Sequence, residues 1–175
     1  ASSFWYWDGS SANLLESSWD QLKIPVNNFN GSPLVRAILG FQSHEHLSIP
    51  GKLMGYAGHG ESNPQLLAFL EEHAFFLNGP EQPTELLAIV NRRFGTNWSR
   101  FDAQEPLCRD LCATIQTHFE NTICSAILGW QKRTNAEHLY YAGGAALNIP
   151  TNARLERSGA FRSVSYTHLR AHETD

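Results

Sequence analysis

Between Glu105 and Gln131 the apolar residues Leu111, Ile115, Phe119, Ile123, Ala126, Ile127 and Trp130 return at spacings of three and four, with no glycine before Gly129. That period predicts an α-helix with one apolar face. At 1.5 Å per residue it is roughly 40 Å long, the longest element in the chain, and it ties the fold to a helix-bearing class. The polar stretch from Lys132 to Glu137 then leads into His138-Leu139-Tyr140-Tyr141-Ala142, which reads as a short strand. The strand breaks at Gly143-Gly144 into a helix opening on Ala145-Ala146-Leu147-Asn148. Strand, diglycine turn and helix in that order are an α/β signature.

Upstream, Ser2 to Trp7 and Asn13 to Trp19 are aromatic or alternating and flank the turn-prone Asp8-Gly9-Ser10, predicting a β-hairpin. Ser32-Pro33 supplies an N-cap and a first-turn proline for a short helix through Leu34, Val35, Ile38 and Leu39 that stops at Gly40. The segment from Pro50 to Gly60 holds four glycines and is expected to be a backbone-rich loop. Asn63-Pro64 starts a helix with apolar Leu66, Leu67, Phe69, Leu70 and Ala74, and Thr84 is expected to cap another running through Leu86, Leu87, Ile89 and Val90 to Gly95.

The chain has 175 residues, 42% of them hydrophobic and only 17% charged, enough to bury a core and to exclude intrinsic disorder. Its longest apolar runs fall short of the ~20 residues a spanning helix needs. Thirteen Lys and Arg against 17 Asp and Glu give a net charge of -4, with no basic cluster beyond Arg92-Arg93 or Lys132-Arg133, which argues against polyanion and nucleic-acid partners. The three cysteines, Cys108, Cys112 and Cys124, all fall on the long helix, an arrangement that suits a reducing, cytoplasmic setting rather than a disulfide framework. The sequence opens on Ala1 directly ahead of a strand and reads as a fragment.

A strand that stops at two glycines brings main-chain N–H groups close to whatever sits at the following helix start, with no Cβ in the way. Phosphate is the natural guest, although close strand–helix packing also calls for glycine there. Asn148 and Asn152 lie four apart on that helix, so they share a face and could both reach a ribose or a phosphate, or meet solvent. Lys52, inside the other glycine-rich segment, suits a nucleotide or an acidic substrate group, while glycine clusters also mark plain surface turns. His44-Glu45-His46 offers two imidazoles, too few for a metal site. Cys108 and Cys112 are one helical turn apart and are expected to pack in the core. His118 and Glu120 point away from the apolar stripe, toward solvent or a neighbouring element, and Trp5, Trp7 and Trp19 are expected in the core or in cross-strand pairs rather than on a sugar.

Two segments carry a family resemblance. Gly51-Lys52-Leu53-Met54-Gly55-Tyr56-Ala57-Gly58-His59-Gly60 resembles the Gly-Lys-x-Met-Gly-Leu-Ala-Pro-Tyr-Gly motif of the carbamoyltransferases of the NodU/CmcH type. The run from Tyr140 through Gly143, Gly144, Asn148 and Asn152 to Leu155 resembles that family's Leu-Ala-Gly-Gly-Val-Ala-Leu-Asn-x-x-x-Asn-x-x-Leu motif. Between them, Asp110 to Glu120 resembles the family's Asp-Leu-Ala-x-x-x-Gln-x-x-x-Glu helix.

The resemblance implies an α/β fold, part of an actin-like ATPase (ribonuclease H-like) domain with a mixed sheet and flanking helices, over residues 1–163. It implies transfer of a carbamoyl group from carbamoyl phosphate, through carbamoyl adenylate made with ATP, to a hydroxyl of a sugar, nodulation factor or antibiotic-like acceptor. Gly143, Gly144 and Asn148 would face the nucleotide, with Asn152 and Lys52 as neighbours. A divalent metal, iron or magnesium, would be held by a His-x-x-x-His pair upstream of Ala1 and an aspartate downstream. A C-terminal YrdC-like domain would complete the enzyme, so the fragment alone is expected to be inactive. Tyr56, Gly58 and His59 depart from the first motif. Residues 164–175 resemble translated sequencing-adapter read-through and are set apart from the fold, so His168 and His172 are not read as a metal pair. The alternatives are another enzyme of the actin-like superfamily, such as a sugar kinase, or a non-catalytic nucleotide-binding module.

Overall fold

The computed structural model describes residues 3–17, 33–42, 48–75 and 82–167. The expectations placed on Trp19, Ser32, His44, Glu45, His46, His168 and His172 lie outside them. The chain divides into two units, one of residues 25–119 and one of residues 1–24 with 120–175.

The first unit is helical. Its elements are α1 (Pro33–Leu39), α2 (Ile49–Ala57), α3 (Pro64–Glu72), α4 (Pro83–Phe94) and the N-terminal half of α5 (Pro106–Thr134). Each of these helices opens on or next to a proline, whose fixed φ suits the first turn, where its missing N–H costs nothing. Asn63 caps α3, its side chain accepting from the Gln65 amide at 2.7 Å. Two expectations shift here. The N-cap of α4 is Gln82 rather than Thr84, because Pro83 takes the first helical position. Ala74 falls beyond α3 with φ 53°, so the apolar residue that closes the helix is Phe75, which is buried.

The segment expected to be a loop is instead mostly helix. Ile49, Leu53 and Ala57 recur every four residues in α2 and are buried, whereas a Cβ at Gly51 or Gly55 would meet nothing within 4 Å. Burial of that stripe outweighs the roughly 1 kcal/mol that each helical glycine costs relative to alanine. The core also takes in Leu34, Val35, Leu70, Leu86, Val90, Leu111 and Ile115, with Phe69 stacked against His73, Phe75 and Phe94 at centroid distances of 4.9, 5.5 and 5.0 Å. Cys108 and Cys112 are buried in it, as their place beside the apolar stripe suggests.

The second unit holds β1 (Ser3–Trp7), β2 (Ala12–Ser17), the C-terminal half of α5, β3 (His138–Ala142), a 3₁₀ turn (Gly144–Leu147), α6 (Ile149–Arg157) and β4 (Ser163–Thr167). The hairpin forms around Asp8, whose carboxylate accepts from the Ser10 and Ser11 amides, each at 2.8 Å. Those bonds hold it well below the usual carboxylate range. Trp130 of α5 anchors the hairpin, donating to Glu16 Oε2 at 2.7 Å and packing on Phe4 at 6.4 Å. Alternation then turns Trp5 and Trp7 to the other face. They stand opposite Leu14 and Ala12 across the hairpin but remain 59% and 63% exposed, so the core expectation for them fails.

β3 and β4 pair in parallel, His138 opposite Ser163 and Ala142 opposite Thr167. A parallel pair needs a crossover, and α6 is that crossover. The fold is α/β, but the described strands form two separate pairs, one antiparallel and one parallel, rather than one mixed sheet. Each pair is closed by its own connection, the Asp8 turn or the α6 crossover. The stretch set apart from the fold contributes Val164 to Thr167 to β4. Among the described residues no helix is long and apolar enough to cross a membrane.

Candidate functional site

The site begins where β3 ends. Gly143 has φ 102° and ψ -176°, a conformation that side chains do not tolerate, and its N–H is bonded to Thr167 O of β4 at 3.2 Å. The chain then tightens into the 3₁₀ turn, whose first bond runs from the Ala146 N–H to Gly143 O at 3.0 Å. The amides of Gly144 and Ala145 precede that bond, so the turn itself offers them no acceptor. Gly143 and Gly144 are exposed, and among the described residues a Cβ on either would meet nothing within 4 Å. The corner is therefore open main chain, not glycine squeezed between packed elements.

The helix expected directly after the glycines starts five residues later. Asn148 ends the 3₁₀ turn and caps α6, accepting from the Thr151 amide at 3.1 Å and the Thr151 hydroxyl at 2.9 Å. It is 3% exposed. Asn152 donates its side-chain amide to Ala146 O at 2.8 Å, while its Oδ1 is buried without a hydrogen-bond partner among the described residues. Both amides are thus turned onto the turn and the cap. Gly143, Gly144, Asn148 and Asn152 share this corner; Lys52 is exposed on α2 and belongs to the other unit.

Two tyrosines behind the corner escaped the sequence reading. The Tyr166 hydroxyl of β4 lies 3.1 Å from Asn152 O and 3.0 Å from Glu156 Oε1 and shares its one proton between them, and partial burial with that carboxylate pushes it up to about 12. Tyr141 stands opposite it in register, its hydroxyl buried without a hydrogen-bond partner among the described residues and raised by desolvation. The period of two along β3, which turns Tyr141 inward and Tyr140 outward, is the signal that could have found Tyr141.

The remaining candidates are structural. Burial raises Cys108 to about 11 and Cys112 and Cys124 also upward, so none of the three is a thiolate at neutral pH. His118 is half-buried, its pKa lowered by desolvation against an opposing pull from Glu71, and Glu120 pairs with Arg154 of α6 at 3.5 Å. Among the described residues no three His, Cys, Asp or Glu side chains converge on a point that could hold a metal ion. Gly60 acts by close approach. A Cβ there would lie 2.3 Å from Arg109 O, and the next amide, of Glu61, is bonded to Asp110 Oδ1 at 2.8 Å.

An open diglycine corner between a parallel strand and a capped helix occupies the place of the second motif. The chain belongs to the carbamoyltransferase N-terminus family, whose model spans residues 33–168. It is 28% identical over 120 residues to the nodulation protein NolNO of Sinorhizobium fredii (strain NBRC 101917 / NGR234), a match that covers 65% of this chain and 17% of that protein. The chain therefore spans less than a fifth of that relative's length. No solved structure matches it.

Proposed function

We propose that this chain forms part of the nucleotide-holding domain of an ATP-dependent O-carbamoyltransferase. The observation that carries the reading is the family membership over residues 33–168, within which the diglycine corner is open to a ligand. In this proposal carbamoyl phosphate and ATP yield carbamoyl adenylate with release of phosphate and pyrophosphate, and the carbamoyl group passes to a hydroxyl of a sugar, nodulation factor or antibiotic-like acceptor, which loses its proton as AMP departs. The Gly144 and Ala145 amides would donate to the anionic oxygens of the nucleotide, an arrangement that successive main-chain N–H groups make favourable. Asn148 and Asn152 border that corner, and Lys52 is the cationic candidate of the other unit. The β3–α6–β4 crossover suits an actin-like, ribonuclease H-like domain, and buried free thiols suit a reducing cytoplasm. A divalent metal would polarise the adenylate in the complete enzyme. The described residues do not form a site for it, so no step here runs through it. Adenylate formation itself is assigned to a separate YrdC-like domain.

Titration of the chain with ATP and AMP tests this reading, with Gly144→Asp as the informative variant. Gly144 lies outside the left-handed region and has free space for a side chain, so the substitution leaves the fold intact while putting a negative charge at the amides. We expect an unchanged melting temperature and at least about a tenfold loss of nucleotide affinity, the size of one charge-assisted hydrogen bond. Equal affinity in variant and wild type would remove the corner from the proposal.

A further inference from the structure

We propose that Asn152 is a positioning residue, a brace that fixes the diglycine corner from behind by holding the Ala146 carbonyl; the proposal deepens the nucleotide reading and rests on it. The corner needs a brace. Four-residue 3₁₀ turns have poor hydrogen-bond geometry, and the preceding Gly143 gives up more conformational freedom on ordering than any other residue type.

Asn152 is placed to supply the brace. Its own backbone is held on both sides, the N–H by Asn148 O at 3.0 Å and the carbonyl by the Tyr166 hydroxyl at 3.1 Å. From that fixed point the side-chain amide reaches Ala146 O at 2.8 Å, in the middle of the turn. The cost is its Oδ1, left buried without a hydrogen bond from any described residue. An apolar side chain would avoid that penalty, so the bond to Ala146 is what this position gains from being asparagine. Asn148 does a different task, since its Oδ1 accepts from Thr151 in the cap of α6.

Asn152→Leu separates the brace from mere packing, because it keeps a similar size and removes the donor without adding a charge. In hydrogen exchange on the whole chain, the amides of Ala146 and Asn148 should lose about two- to tenfold of their protection, the range expected for one hydrogen bond, with Ile127 and Leu155 unchanged. ATP affinity should fall by a similar factor. Unchanged protection at Ala146 and Asn148 overturns the proposal. So does a loss spread through α5 and α6 with a lower melting temperature, which would make Asn152 an ordinary structural residue. Asn152→Ala gives the same readout if the leucine variant does not fold. Wild-type protein that binds no ATP would strike down the nucleotide reading, leaving the brace to be decided by exchange alone.

Discussion

The two glycine-rich segments of this chain look alike on paper and behave in opposite ways. In residues 51–60 two glycines disappear into a helix and the last one, Gly60, lies hard against the backbone of α5 at Arg109. In residues 143–144 the glycines stand at the surface with no neighbour among the described residues that a side chain would strike. The first segment uses glycine to let two pieces of backbone touch; the second leaves backbone bare. Only the second leaves main-chain amides, those of Gly144 and Ala145, ahead of the first hydrogen bond of its turn. The first motif thus contributes to the domain by docking the α2–α3 connection on α5, where Glu61 and Asn63 donate their amides to Asp110 and Thr114 at 2.8 and 3.2 Å.

The sharpest way to break this contrast is Gly60→Ala. The added methyl would have to displace main-chain atoms 2.3 to 2.8 Å away, which no rotamer relieves. We expect a loss of about 3 kcal/mol, the upper end for overpacking, seen as a fall in the denaturant midpoint. Gly143→Ala comes next. Space is open there but φ is 102°, so the cost is strain alone, about 1–3 kcal/mol in the same measurement. A neutral result would mean that the turn relaxes into another shape. Gly55→Ala should have the smallest effect and the opposite sign. It lies inside α2 with free space around its Cβ, so alanine should stabilise the chain by about 0.5–1 kcal/mol. Destabilisation there would show that the exposed face of α2 meets something the contrast leaves out.

Much of the framework is legible in residue order. Pro33, Asn63-Pro64 and the three-and-four spacing from Leu111 to Trp130 announce their helices because caps, prolines and periodicity act within a few residues. The hairpin around Asp8 and the strand ending at Gly143 follow for the same reason. The helix at 49–57 was hidden, because glycine content is a local penalty while the burial of Ile49, Leu53 and Ala57 is a gain only neighbouring elements can supply. The exposure of Trp5 and Trp7 was hidden too. Strand alternation separates two faces, but which face meets Trp130 is not written in the strand.

The site divides in the same way. Order along the chain alone determined that a strand, two glycines and an asparagine-capped helix follow one another, since turn and cap chemistry is short-range. Tertiary structure alone decided that the glycines remain open, that Asn148 and Asn152 turn inward onto the cap and the turn, and that Tyr166 locks the latter from a neighbouring strand. Those outcomes depend on where residues distant in sequence finally lie, and a hydrogen bond is directional enough that an ångström of displacement makes or breaks it.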